Sequence, residues 1–539
     1  MNIMKKKHFY EKNQKFLRHP VNREFADILT MSNDDFSSWV IEMRKVVVDL
    51  WDGEGLPPRV GYDEEEIVKQ FDKMSTFPVH EFSVVDEYTG ENNCIRNTSN
   101  LGNAANQWFP TMMKTRINYK ANDDGLSIYD HFVQEELLEK VIKYASRHFK
   151  RDSFYAYSSP VQAKNIESSL FYAETGVEWI EKFNSSDYDY WVQPYDIKKE
   201  YTGYDSVRNS KEVTTLEGET VIHSSSIKDR EFLTLSKSEL EALNLSDHRL
   251  TNATDSEHYW IRLYKTRGNK LFPSGLKAFR ISWCQYAVNF PPLTAKYLYE
   301  KYTDSGELSN IWDPSAGWGG RILGAMSVRD DRSIHYIGND PNTDHNIEGG
   351  LTKYHDLANF FNTRTTRANP NLSFFDDNAG PNTFEIYQLG SEVIQHNPDF
   401  QKYRGNIDLV FTSPPYFAKE AYSEDEEQSY KKFGTYGLWR DGFLKPTLET
   451  AYHWLRPGGY LLWNIADAKF GKDVLPLEQD SNDIITGLGM EYIRTEKMCL
   501  AQMPGGNRIG DDGKPKTKNF CKVNGMWLKY EPVFVYRRK

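Results

Sequence analysis

Thr412-Ser413-Pro414-Pro415-Tyr416 directly follows the apolar run Ile407-Asp408-Leu409-Val410-Phe411. Two consecutive prolines remove two backbone donors and forbid helix continuation, so the carbonyls there point in fixed directions without ladder partners. A hydroxyl, a rigid carbonyl and an aromatic face at the end of a buried strand make a pocket for a flat, amine-bearing ring. Bases swung out of a duplex are read by hydrogen bonds and stacking of that kind. The lone pair of an aromatic amine is delocalised into its ring, which makes it a poor nucleophile. Acceptors aimed at both amine hydrogens favour a tetrahedral nitrogen and free that lone pair. Ser413 Oγ and the Pro414 carbonyl are the acceptors expected here, Pro415 stiffens the corner, Tyr416 stacks on the ring and Phe417 forms a second wall. Such a reaction runs on positioning and electrostatics, with no covalent enzyme intermediate and no metal.

About a hundred residues upstream, Ile311-Trp312-Asp313-Pro314-Ser315-Ala316-Gly317-Trp318-Gly319-Gly320 precedes Arg321-Ile322-Leu323-Gly324-Ala325-Met326. The pattern predicts a short strand, a glycine-rich turn and the start of an apolar helix. Glycines in such a turn let the backbone approach a ligand closely. The Gly-Lys-Ser/Thr ending of a phosphate-binding loop is absent. A second strand, Ile334 to Asn339, ends in Asp340, about twenty positions after the turn, where an acidic residue holds a ribose diol in dinucleotide folds.

These residues together resemble the S-adenosylmethionine-dependent DNA amino-methyltransferases. Asp313 to Gly320 is similar to their cofactor-binding glycine motif, with Asp313, Ser315, Ala316, Gly317, Trp318, Gly319 and Gly320 as the implied contacts. Ser413-Pro414-Pro415-Tyr416 resembles their catalytic tetrapeptide. Asn289-Phe290-Pro291-Pro292-Leu293 is similar to the segment that packs at the methionine end of the cofactor, through Phe290. The resemblance spans roughly residues 285 to 539. It implies a Rossmann-like α/β sheet, mostly parallel, with an antiparallel last strand formed from Gly525 through Tyr536. It also implies S-adenosyl-L-methionine as cofactor, and DNA, double-stranded with one base flipped, as substrate. One departure stands out. The acidic residue usual after the third strand, which holds the cofactor's adenine amine, is replaced by Leu389-Gly390-Ser391-Glu392, so that Ser391 and Glu392 are both open for the role. Serine at the head of the tetrapeptide leans toward cytosine N4, with adenine N6 close behind. Two other readings compete: a methyltransferase of RNA or another planar amine, and an inactive DNA-binding subunit.

The cysteines are Cys94, Cys284, Cys499 and Cys521. None follows a proline, as the nucleophile for ring-carbon methylation would in its own family. No two are spaced as a zinc knuckle, so they read as buried or incidental thiols of a reducing compartment. No long apolar stretch is present, and no hydrophobic signal core follows the basic start, which predicts a soluble, intracellular protein without a membrane partner. The net charge of −11 does not favour nucleic acid, but binding needs only a local basic surface. Arg508, Lys514, Lys516 and Lys518, set among glycines, are the candidate phosphate contacts; a solvated hairpin loop is the plain alternative.

Three regions are expected around these motifs. Residues 1–195 form an additional N-terminal α+β region, read as the target-recognition domain, with helices over Phe36 to Met43 and Asp130 to Ile142. The amide-rich stretch Asn97 to Phe109 is either a capped surface loop or a reader of adenine edges. Residues 196–258 are a polar linker or insertion with short strands around Thr220-Val221-Ile222. Residues 259–539 form the methyltransferase domain, alternating strands and helices.

Overall fold

The computed structural model describes residues 15–117, 125–142, 270–363, 382–500 and 518–539, apart from a few positions within these ranges, together with strand backbone between 188 and 265. The chain divides into two compact units. One contains Gly61–Gly125 and Tyr286–Lys539; the other contains Glu11–Val60 and Leu126–Gln285.

The first unit is built on a ten-stranded sheet. Its strands are β1 (Ser83–Val85), β2 (Asn92–Ile95), β3 (Leu308–Asp313), β4 (Ser333–Asn339), β5 (Thr383–Tyr387), β6 (Ile407–Thr412), β7 (Leu455–Asn464), β8 (Glu491–Cys499), β9 (Phe520–Val523) and β10 (Met526–Arg537). The order across the sheet is β1-β2-β8-β10-β7-β6-β3-β4-β5, with β9 also paired to β10. From β5 to β7 every pairing is parallel. β10 runs antiparallel to both β7 and β8. The expected parallel sheet with an antiparallel last strand is therefore what forms.

Adjacent residues along the central strands point to opposite faces, and both faces are dry. Ile311, Leu409, Phe411 and Leu462 join one apolar core; Trp312, Val410, Leu461 and Trp463 join the other. Helices α1 (Glu64–Ser75), α2 (Pro292–Tyr302), α3 (Gly320–Met326) and α4 (Lys353–Asn362) supply side chains to the first core. α5 (Lys445–Trp454) and α6 (Leu477–Gly487) supply the second. The result is an α/β three-layer fold with helices on both faces. Asp63 starts α1 with a capping box closed by Glu66, which satisfies two otherwise orphaned amides.

The domain boundaries expected at 195 and 258 do not coincide with those of the compact units. Gly61–Gly125 lies with the sheet, contributing α1 and the edge strands β1 and β2. A local reading sees helical spacing there but not the strand partner, because β2 pairs in parallel with β8, about four hundred residues later (Lys497 opposite Cys94).

In the second unit a long helix, Asn33–Glu54, starts at a Ser32 cap and ends at Gly55 with φ of 70°. It buries Trp39, Val40, Met43, Val47, Leu50 and Trp51 along one face. A shorter helix, Ile128–Val133, follows Ser127, and its Phe132 meets Trp51 edge-on at 5.7 Å between ring centres. The helix expected over Phe36 to Met43 is present, whereas the one expected over Asp130 to Ile142 is interrupted at Gln134, where the backbone is extended. Most of 196–258 lies outside the described residues, although a strand over Thr220–Ser224 is among those present. No helix among the described residues is long and apolar enough to cross a membrane.

Candidate active site

The chain runs from β3 outward through β4 and β5, then returns to the other side of β3 as β6. That reversal opens a crevice at the carboxyl ends of β3 and β6, the usual ligand position in open α/β sheets. Asp313 ends β3 and Thr412 ends β6. The Thr412 hydroxyl donates to Asp313 Oδ1 at 2.8 Å. The glycine turn that follows one strand and the Ser413-Pro414-Pro415-Tyr416 corner that follows the other therefore border the same crevice.

Asp313 is completely buried and holds this junction together. Its Oδ2 accepts from Arg321 Nε at 2.7 Å and from the Tyr336 hydroxyl at 2.6 Å, while Oδ1 also accepts the Ser315 amide at 3.3 Å. Arg321, on the first turn of α3, is itself buried, and its guanidinium also donates to the Ser315 carbonyl. Two buried opposite charges with this many hydrogen bonds give a fixed geometry. The burial of Asp313 makes it the anchor of the turn.

The glycines divide their work. Gly317 has φ of 63° and donates its amide to Asp340 Oδ2 at 3.1 Å. Gly319 has φ of 78°, and a Cβ there would lie 2.5 Å from the Phe109 ring. A Cβ on Gly320 would stand 2.0 Å from the Phe290 carbonyl oxygen. The close approach made at Gly319 and Gly320 is thus to other parts of the protein. Ser315 is half-buried and Ala316 buried, its amide donating to the Asn339 carbonyl at 2.7 Å. Trp318 is buried, edge-on to Phe109 and His345.

Phe290 packs edge-on against Phe411 of β6 at 5.3 Å and under the Arg321 guanidinium, so this segment spans from the glycine turn to β6. Asn289 fixes it there. Its Oδ1 accepts the Gly320 amide at 2.9 Å, and its Nδ2 donates to the Trp318 carbonyl at 2.7 Å and to Asn106 at 3.0 Å.

Asp340 follows β4. Besides Gly317, its carboxylate accepts the Asn342 amide at 3.0 Å and the Tyr354 hydroxyl at 2.9 Å. Burial raises its pKa to about 6 against the pull of those donors. Its side chain keeps 14% of its surface exposed, and a carboxylate has about four lone-pair directions, so accepting capacity remains. His345 adjoins it, with Nδ1 2.9 Å from the Tyr354 hydroxyl and Nε2 buried without a partner. Burial lowers its pKa to about 3, so the ring is neutral.

Ser413, Pro415 and Tyr416 are half-buried and Pro414 is buried. The Tyr416 hydroxyl donates to Glu531 of β10, which fixes the ring. Burial raises the Glu531 carboxyl above its ordinary value, and also that of Glu420, whose carboxylate accepts the Tyr422 hydroxyl. Tyr422 reaches Trp318 edge-on at 6.1 Å. Carboxyls thus flank both strand ends: Asp340 is bonded to the glycine turn, Glu531 to Tyr416 and Glu420 to Tyr422.

Other expected contacts sit elsewhere. Phe417 has a left-handed backbone, φ of 54°, and its ring is buried against Tyr436, Trp439 and Phe470; it is core, not a second wall. Such a conformation is rare for a non-glycine residue and shows how sharply the chain bends after the prolines. Ser391 is buried with its hydroxyl 2.9 Å from that of Thr447, and Glu392 is buried against Lys432 at 2.9 Å. Both groups are engaged inside the protein. Lys518 pairs with Asp467 at 2.5 Å and Glu478 at 3.3 Å; Arg508, Lys514 and Lys516 lie outside the described residues. The amides of Asn97 to Phe109 brace the fold: Asn97 donates to Thr294 at 3.1 Å, Gln107 is buried against Tyr62, and the Trp108 indole donates to Asp356 at 2.9 Å.

Sequence reasoning placed Asn289 within the Asn289–Leu293 segment without a role of its own, and it missed Tyr354, Glu420, Tyr422 and Glu531. Glu531 left a trace, a lone carboxylate interrupting the apolar strand Tyr530 to Tyr536. The tyrosines left none, since their roles depend on contacts distant in sequence.

No family model matches the chain, and no curated protein matches it. Among solved structures it is similar to a Thermus thermophilus protein provisionally assigned as a DNA modification methylase, at 18% identity and a TM-score of 0.18, over 28% of this chain and 50% of that one. The chain thus spans about half the length of that structure. It is also similar to an S-adenosylmethionine-dependent methyltransferase from Methanosarcina mazei, at 10% identity and TM-score 0.24, over 45% of this chain and 96% of that one. A third is TrmN from Thermus thermophilus, at 13% identity and TM-score 0.25, over 52% and 57% of the two chains.

Proposed function

We propose that this chain is an S-adenosylmethionine-dependent methyltransferase acting on the exocyclic amine of a nucleobase flipped out of DNA, cytosine N4 ahead of adenine N6. The observation that carries the proposal is the Thr412–Asp313 hydrogen bond of 2.8 Å, which joins the ends of the two strands that bear the glycine turn and the tetrapeptide. A donor held by the first and an acceptor held by the second then meet in one crevice.

The residues suit the cofactor. Asp340 retains accepting capacity for the hydroxyls of a ribose, and the neutral His345 ring adjoins it. The carboxyls of Asp340, Glu420 and Glu531 favour a ligand carrying sulfonium and ammonium charge. Bound there, the cofactor supplies an electrophilic methyl group. Ser413 Oγ and the Pro414 carbonyl accept the two amine hydrogens of the base, and Tyr416, pinned through Glu531, offers its ring for stacking. Their contribution is positioning and preorganised electrostatics. With Ser391 and Glu392 engaged elsewhere, no side chain after β5 is assigned to the adenine amine.

Nucleoside mass spectrometry of DNA and RNA from cells expressing the chain, beside a Ser413→Ala control, tests this reading. N4-methylcytosine in DNA is expected. Methylated adenine in DNA would move the specificity to N6, and modification of RNA alone would overturn DNA as the substrate.

A further inference from the structure

β10 extends beyond its neighbours and there pairs with β9. The Glu87 amide donates to the Lys522 carbonyl at 2.7 Å, and the Lys522 amide donates to Asp86 Oδ1 at 2.9 Å, so the turn after β1 is bonded to β9. Cys94 of β2, Cys499 at the end of β8 and Cys521 of β9 converge there. Their Sγ atoms all lie within 4.8 Å of one another, and those of Cys499 and Cys521 are 3.6 Å apart. Cys94 and Cys521 are fully buried among Val523 and Leu528, whereas Cys499 is half-buried.

We propose that Cys94, Cys499 and Cys521 form a three-thiolate site for a thiophilic dication, with zinc as the fitting ion. Zinc binds thiolate sulfur at about 2.3 Å in tetrahedral geometry, which places ligand sulfurs about 3.8 Å apart. The three thiols are close to that arrangement already. Binding forms three metal–sulfur bonds, and the displaced thiol protons pass to solvent. The half-buried side of Cys499 leaves the fourth vertex to water. Unmetallated, the thiols hold their protons: Cys521's hydrogen bond favours the Cys499 thiolate, but the bond to Cys94 and burial prevail and push this thiol up to about 12. A dication supplies the charge that makes three thiolates tolerable in this dry pocket. The Lys497 ammonium, paired to Asp86 at 2.5 Å and 5.7 Å from the Tyr530 ring centre, flanks the cluster. The metal would tie β2 to β8 and β9, two parts of the sequence about four hundred residues apart, and so fasten the sheet's edge. This role is structural and independent of the transfer reaction.

Two measurements test it on the full-length chain. Elemental analysis of protein exchanged into chelator-treated buffer with added Zn2+ should find one zinc per chain, retained in Cys284→Ser and lost in Cys499→Ser/Cys521→Ser. Wild-type protein stripped and reloaded with Co2+ should show the sulfur-to-cobalt charge-transfer band of a multi-thiolate site, which needs no variant to fold. Absence of that band with four thiols titrating freely overturns the proposal. So does a mass two hydrogens short that marks a Cys499–Cys521 disulfide.

Discussion

Ser413 and Asp340 carry opposite halves of the proposed chemistry, and their substitutions separate. Ser413→Ala removes one acceptor from the amine and leaves the glycine turn untouched. Turnover should fall by about a hundredfold, typical of losing one preorganised hydrogen-bonding group, with cofactor affinity unchanged in calorimetry. Unchanged turnover would remove Ser413 from the mechanism. Asp340 makes a pH-dependent claim. Burial has raised its folded pKa to about 6 from an ordinary value of 3.8. Between these values the folded state holds the proton that the unfolded chain has lost, so this group's contribution to stability declines as pH rises through the window, then levels off. Ribose hydroxyls need the ionised form as their acceptor, so cofactor affinity runs the other way and weakens as pH falls below about 6. Calorimetric titrations from pH 5 to 8 should show that loss in the wild type and a flat profile in Asp340→Asn. A flat wild-type profile would reject the ribose role. The glycine turn and the double-proline corner were legible in the sequence because their residue types are dictated locally: prolines fix a corner, and Gly317 adopts a positive φ. The acids and hydroxyls around them were not, because Glu531 acts through Tyr416, 115 positions away, and Tyr354 joins Asp340 to the Gly317 carbonyl, 14 and 37 positions from it.

At the scale of elements, the turn between β3 and α3 is clamped from outside by Asn289 and Phe290. Reading its glycines as room for a ligand captured the need for small residues but not its cause at Gly320, whose missing Cβ makes way for a carbonyl oxygen 2.0 Å from where it would stand. Gly320→Ala should therefore destabilise the fold by about 1–3 kcal/mol through overpacking, seen as a lower Tm, and should weaken cofactor binding as the turn shifts. Asn289→Ala removes hydrogen bonds to the Gly320 amide and the Trp318 carbonyl, each worth about 1 kcal/mol. If both variants melted like the wild type, the clamp would have no energetic weight. Lys518 is compensated by Asp467 and Glu478, so Lys518→Ala should leave the salt dependence of DNA binding unaltered; a shallower slope would return this lysine to the phosphate contacts.

For the whole molecule, the question is where the α/β fold begins. A boundary near residue 259 follows from the motifs, all of which lie beyond it, and from the polar stretch before it. Yet the sheet takes β1 and β2 from the earlier part of the chain. Lys296 of α2 is buried with its ammonium donating to the carbonyls of Met74, Ser75 and Phe77 at 3.2, 2.7 and 3.3 Å. These carbonyls end α1, where a cation is favoured by the helix dipole and the unpaired oxygens. Gly102 approaches Pro292 so closely that a Cβ would meet its ring at 2.8 Å. A fragment of residues 259–539 would take from the Lys296 ammonium its three carbonyl acceptors, leaving it Glu300 at 3.5 Å, and would expose the β8 edge and the core surface that Phe71, Met74, Trp108 and Phe109 cover. The fragment should therefore be insoluble, or lack cooperative melting by circular dichroism and bind no cofactor, whereas co-expression with residues 61–125 should recover soluble material. A 259–539 fragment that melts cooperatively and binds cofactor alone would show instead that the early segment is an accessory to a self-sufficient sheet.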